Sequence, residues 1–182
     1  MTGTAHGTTQ GSALQAWLDH PRLVPSLIIA ASLGALGTAY ASEVWGGLQP
    51  CILCYYQRYA YGIAFVFGLL GLAFGGNPAA RRVFVVLGGL SFLGGAAVAG
   101  FHTGVEQHWW RGTAECHAPA LDLNASIEDL RKQMLETRFV PCDEIPWSLF
   151  GLSMAAYNFL VSLVLAFACF YAARHMRMKP RG

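Results

Sequence analysis

The chain has 182 residues, of which 54% are hydrophobic and only 12% charged, and its mean hydropathy is +0.41; an ordinary soluble domain carries about twice that share of charge. The formal net charge of +2 is too small for nucleic-acid binding. The apolar residues gather in long runs rather than at the period of a surface helix, which excludes a soluble enzyme and points to an integral membrane protein.

The first run, about Leu23–Ala41, contains no Asp, Glu, Lys or Arg and has the length of roughly 20 residues that a spanning helix needs. Ala39-Tyr40-Ala41 at its end resembles a signal-peptide cleavage site. The run is longer than a signal core, however, and its flank holds one basic residue, Arg22, so it reads as a retained span. A loop of about 42–54 follows and ends in Gln49-Pro50-Cys51-Ile52-Leu53-Cys54. The second span, about Tyr55–Phe74, carries one charge, Arg58, close to its start. The third, about Val83–Phe101, and the fourth, about Leu149–Tyr171, carry none. Gly88, Gly89, Gly94, Gly95 and Gly100 in the third span would weaken a soluble helix but allow close helix approach in a bilayer. Cys169, deep in the fourth span with no polar neighbour in sequence, reads as a small packing residue. Trp109, Trp110 and Trp147 fall where an aromatic belt would lie.

The connection from about 102 to 148 is polar. Ser126-Ile127-Glu128-Asp129 is a variant of the capping box, and Ile127, Leu130, Met134 and Leu135 then recur at helical spacing. The pattern predicts a short amphipathic helix lying in the membrane interface, which would tether Cys142 near the bilayer and leave Cys116 on a freer segment.

Basic residues set the orientation. Arg22, Arg81, Arg82, Arg174, Arg177, Lys179 and Arg181 fall on one side, while the 102–148 loop on the other has four basic residues against eight acidic ones. Both termini are therefore expected in the cytoplasm, and Cys51, Cys54, Cys116 and Cys142 on the opposite, oxidising side, which in a bacterium is the periplasm. The expected fold class is all-α: a polytopic membrane four-helix bundle with a short amphipathic interfacial helix in the second periplasmic loop. Residues 1–182 are expected to form a single integral membrane domain.

Chemistry concentrates in two cysteine pairs. Cys51 and Cys54, at i and i+3, share one helix face, with Pro50 suited to the first turn. Thiolates there are stabilised by the positive end of the helix dipole. A second pair within reach allows a disulfide to pass between the pairs by thiolate attack. Arg58 lies one turn beyond Cys54. A guanidinium at that depth holds Cys54 as a thiolate, binds a polar ligand oxygen, or snorkels to the interface. A lone histidine at a helix end, as His102 is where the third span ends, is more often structural than functional; the other histidines are scattered.

The block Cys51-x-x-Cys54-x-x-Gln57-Arg58, the Phe101-His102-Thr103 exit of the third span, the widely spaced loop cysteines and Trp147-x-x-Phe150-Gly151-Leu152-Ser153-Met154 together resemble the disulfide bond formation protein B (DsbB) family, quinone-dependent thiol oxidases of the bacterial inner membrane. The likeness extends over nearly the whole chain. It implies redox-active disulfides Cys51–Cys54 and Cys116–Cys142, a DsbA-type thioredoxin-like periplasmic oxidase as partner, and ubiquinone or menaquinone as electron acceptor near Arg58 and His102. In the implied relay the partner attacks Cys116, freed Cys142 attacks Cys51, and released Cys54 donates to the quinone. Such a partner is itself strongly oxidising, so only an acceptor of still more positive potential drains it. No nucleotide, flavin or haem-attachment motif offers another.

Three alternatives compete. In vitamin K epoxide reductase relatives the loop pair precedes the Cys-x-x-Cys; here it follows. A specialised DsbB paralogue would serve a dedicated partner. A non-enzymatic metal-binding membrane protein would need convergent ligands that Cys116 and Cys142 do not supply by spacing, so no metal is expected.

Overall fold

The computed structural model describes residues 15–116, 126–128, 131 and 140–177. Four long helices, α1 (Leu23–Val44), α2 (Ile52–Ala73), α3 (Pro78–Glu106) and α4 (Met154–His175), follow one another in the chain. α1 packs on α2, α2 on α3 and α3 on α4, whereas α1 only brushes α3 and has no extended contact with α4. The result is an all-α membrane bundle with a gap between its first and last helices.

By length and composition α1, α3 and α4 can each cross a membrane. α2, at 22 residues, is as long as α1 and α4, but Tyr55, Tyr56, Gln57, Arg58, Tyr59 and Tyr61 dilute its hydropathy. The outward faces stay apolar: Leu27, Ile63, Val164 and Phe167 are all more than half exposed. Water would oppose so much exposed apolar surface, and lipid does not.

Inside, Ile28, Tyr61, Ala64, Val85, Phe92 and Ala166 form one buried cluster with Cys169. Small residues let the helices close. A Cβ on Gly89 would lie 2.9 Å from the Cβ of Cys169, and one on Gly95 would lie 3.0 Å from that of Ala60. Gly94 faces open space, so its expected packing role is not met. Cys169 itself is buried packing material, as expected.

Local signals explain the helix ends. Asn77 caps α3, its side chain accepting from Ala79 N and Ala80 N, with Pro78 in the first turn. This places Arg81 and Arg82 on α3 rather than in a loop before Val83. At its other end α3 runs past Phe101 to Glu106, so His102 belongs to the helix and is not at its exit. α4 starts at Met154, capped by Ser153, instead of at Leu149. Residues 148–153 are taken by a tight hairpin, β1 (Ser148–Leu149) and β2 (Leu152–Ser153). Its two turn residues, Phe150 (φ +49°) and Gly151 (φ +78°), both adopt left-handed backbone, as the favoured two-residue hairpin turn demands. Apolarity alone read this hairpin as helix.

Of the predicted interfacial helix, Ile127, Glu128 and Arg131 are helical and exposed. Leu130, Met134 and Leu135 lie outside the described residues.

Candidate redox site

Pro50 precedes α2, and Cys51 caps it in extended backbone (φ −79°, ψ 175°). The Cys51 carbonyl accepts from Cys54 N at 3.1 Å and Tyr55 N at 3.3 Å, which puts Cys54 in the first turn. The Cys51 and Cys54 sulfurs are 3.3 Å apart and unbonded. Across the interface Cys51 Sγ lies 3.6 Å from His102 Nε2 on α3. The hydrogen bond shared with Cys54 draws the Cys51 thiol well below its ordinary range. Burial opposes this, and the hydrogen bond and charge of His102 add to it.

His102 is itself held in place. Its Nδ1 lies 3.0 Å from Gln57 Nε2, and Asn158 Nδ2 donates to Gln57 Oε1. Asn158 Oδ1 accepts from Tyr61 Oη at 2.6 Å, and Tyr61 Oη lies 2.8 Å from Ser162 Oγ. A continuous polar chain thus descends from the sulfurs into the bundle, each member satisfied by the next, as buried polar groups must be. On the other side of the imidazole, Glu106 Oε1 is 3.9 Å from Nε2, and the same carboxylate accepts from Ser153 Oγ.

Arg58 sits on the opposite wall. Its Nη1 donates to Glu43 Oε2 at 2.6 Å and its Nη2 to the Ala39 carbonyl at 3.4 Å. The guanidinium lies 4.7 Å from the Tyr40 ring centroid and 5.4 Å from that of Tyr55. It is clamped onto α1, with a tenth of its side chain exposed; a snorkelling arginine would have its head in water. Its hydrogen-bond and ion-pair partner is Glu43. Sequence reasoning left Glu43 without a role, although an acid at the end of the first span, on the same side as Arg58, is the charge complement that a semi-buried guanidinium requires. Gln57 was read only as part of the Cys-x-x-Cys block, and Asn158, Tyr61 and Ser162 escaped altogether, because polar residues scattered in apolar helices have no spacing that announces contact.

Between these walls lies a cavity of about 550 Å³ lined by residues from all four helices, among them Thr38, Cys54, Arg58, His102, Asn158 and Leu165. It occupies the gap between α1 and α4, and its volume and largely apolar lining suit an organic molecule with a polar head.

Cys116 and Cys142 form a disulfide that packs in one apolar cluster with Cys51, Leu53 and Val105. Both loop cysteines are buried, Cys142 completely, so Cys116 is not on the freer segment expected for it. The segment after α3 turns back over the helix end: Trp110 Nε1 donates to the Phe101 carbonyl at 3.0 Å and its ring stacks on Phe101. Gly112 makes the close approach possible, since a Cβ there would lie 2.7 Å from the Cβ of Cys116.

A disulfide packed against a dithiol at the end of a membrane bundle is arranged for thiol–disulfide exchange, and a protein built this way is a membrane oxidoreductase of disulfide formation. The chain belongs to the Disulfide bond formation protein DsbB family, whose profile matches residues 21–172. It is similar to the Disulfide bond formation protein B of Xanthomonas axonopodis pv. citri, 31% identical over 81% of this chain and 87% of the relative. The Disulfide bond formation protein B 2 of Pseudomonas entomophila is 29% identical over 79% and 83%, and the Disulfide bond formation protein B of Acinetobacter baumannii is 29% identical over 82% and 89%. No solved structure matches the chain.

Proposed function

We propose that this protein reoxidises a DsbA-type, thioredoxin-like oxidase of the periplasm. Electrons pass through Cys116/Cys142 and then Cys51/Cys54 to ubiquinone or menaquinone in the bacterial inner membrane. Both termini lie in the cytoplasm and both cysteine pairs on the periplasmic side, as the basic-residue asymmetry requires.

One observation carries the reading: the Cys51/Cys54 pair shares one apolar cluster with the Cys116–Cys142 disulfide and also lines the cavity. It can therefore exchange with the loop pair and face a lipid-borne acceptor without moving far. The gap between α1 and α4 gives a lipid-soluble molecule a lateral way in. Arg58 and His102, at the cavity wall, offer hydrogen-bond donors to quinone oxygens.

In balance, a partner thiolate attacks Cys116, and Cys142 leaves and attacks Cys51 of the oxidised Cys51–Cys54 pair, releasing Cys54. The second partner thiolate displaces Cys116 and completes the partner's disulfide. Cys116 then takes back Cys142 and frees Cys51. Two electrons and two protons now reside on the Cys51/Cys54 dithiol, and re-forming its disulfide would pass both to a quinone held beside Arg58 and His102. Because both loop cysteines are buried, attack at Cys116 also requires its sulfur to become exposed. The quinone supplies two-electron redox capacity when bound; the chain supplies its position and the thiols.

The test is anaerobic addition of a reduced DsbA-type oxidase to the purified protein with a defined quinone. Stoichiometric quinol and oxidised partner are expected. Partner oxidation that stops at the protein's own disulfide equivalents whichever quinone is added would refute a quinone acceptor.

A further inference from the structure

We propose that Cys51, Cys54 and His102, when the cysteines are reduced, form a binding site for a zinc-class divalent cation. Their three ligand atoms lie within 4.8 Å of one another, with the two sulfurs 3.3 Å apart and Cys51 Sγ 3.6 Å from His102 Nε2. A tetrahedral cation with bonds of ~2.3 Å to sulfur and ~2.0 Å to nitrogen separates its ligand atoms by about 3.5 to 3.8 Å. The Cys51–Cys54 and Cys51–His102 pairs reach that geometry with shifts of less than roughly half an ångström, while Cys54 Sγ, within 4.8 Å of the imidazole nitrogen, closes the triangle by a side-chain rotation.

The three ligands arrive on two helices packed together, and Gln57 stands at His102 Nδ1, the place from which metal-ligating imidazoles are oriented. Ligation through Nε2 puts the ring proton on Nδ1, and the Gln57 and Asn158 amides turn together, so that Gln57 presents its oxygen to Nδ1 and its nitrogen to the Asn158 oxygen. The fourth position opens toward the cavity and toward Glu106, 3.9 Å from Nε2, and suits water or that carboxylate. Two thiolates and an imidazole favour zinc over magnesium or calcium.

Binding releases to water the protons shared among Cys51, Cys54 and His102 and moves no electrons. The oxidised pair offers no thiolate, so the site exists only in the reduced state. A chain holding the cation cannot hand on its electrons, so zinc competes with reoxidation. The binding itself does not depend on which acceptor the dithiol serves.

The spacing of the cysteines alone argued against a metal, because the third ligand comes from a helix about fifty residues away. The experiment uses the full chain with Cys116→Ser and Cys142→Ser, so that loop thiols do not contribute, reduced and freed of reductant under argon. Titration with Co²⁺ should give one ion per chain, with thiolate-to-cobalt charge-transfer absorption and the intense visible bands of a tetrahedral ion, all displaced by Zn²⁺. His102→Ala should weaken binding about tenfold or more. The wild-type chain, compared oxidised and reduced, provides a control free of substitutions: Co²⁺ should give the charge-transfer band only with the reduced form. No charge-transfer band in either reduced chain, or the same band in the oxidised wild type, overturns the proposal.

Discussion

The two cysteine pairs share one apolar cluster at the same end of the bundle, yet their surroundings differ. Cys116 and Cys142, 26 residues apart, are joined and wrapped in Leu53, Val105 and Val140, with no ionisable side chain described in hydrogen-bond contact with either sulfur. Cys51 and Cys54 sit at a helix start with an imidazole on one sulfur and a cavity beside both. Apolar wrapping stabilises a closed disulfide, whereas a helix terminus and a nearby histidine stabilise a thiolate. In the proposed relay the first pair is the one a partner opens, and the second stores and releases the electrons.

The sharpest way to break that contrast is to remove one sulfur at a time. Ser in place of Cys51, Cys54, Cys116 or Cys142 should each abolish multiple turnover, whereas Cys169→Ser should stay near wild type because that thiol is packed among apolar neighbours. The defects should differ in kind. Cys51→Ser should still oxidise one equivalent of partner through the loop disulfide and then stop, read by single-turnover counting and non-reducing electrophoresis. Many turnovers by Cys51→Ser, or partner crosslinks mapping to Cys54, would reverse the assigned roles.

Sidedness is the next test. A reporter active only in the periplasm should work when inserted near Asn124 and fail near Asn77 or after Lys179. Activity at Asn77 would put both pairs on the reducing side, where neither could serve as proposed.

The cavity wall should give smaller, graded effects. Arg58→Ala removes charge-assisted donors worth about 1.5–3 kcal/mol, so the quinone KM should rise roughly 10- to 100-fold while exchange between the pairs is little changed. Arg58→Lys should fall short of rescue, since an ammonium lacks the planar fork. Glu43→Gln loosens the clamp without removing the guanidinium and should raise KM only about two- to fivefold. Equal KM values in all three variants would leave Arg58 a purely structural clamp.

The smallest expected change is electrostatic. His102→Ala removes a hydrogen bond and a favourable charge that help hold the Cys51 thiol low. Its folded-state value should therefore move back up, and at mildly acidic pH the reduced variant should hold less thiolate than wild type. Ultraviolet thiolate absorbance followed against pH measures this. An unshifted titration would assign the whole effect to Cys54.

Much of this was legible beforehand for identifiable reasons. Apolar runs announce helices in a bilayer, and the Cys-x-x-Cys with its flanking proline announces a helix start, because both signals are local in the chain. Residues 148–153 misled, since an apolar hairpin and an apolar helix end look alike until Phe150 and Gly151 turn left-handed. The exposure of the loop pair was misjudged because polar flanks say nothing about how a segment folds back.

The sequence by itself determined the all-α membrane class, the four helices and the residues able to carry redox chemistry, all of which depend on composition and short-range spacing. Only the tertiary structure decided that Arg58 answers to Glu43, that His102 stands at Cys51, and that a polar chain runs from Gln57 through Asn158 to Ser162. It alone packed the two cysteine pairs together and left a cavity between α1 and α4. These are contacts between segments far apart in sequence, fixed by helix packing and by the need of every buried polar group for a partner.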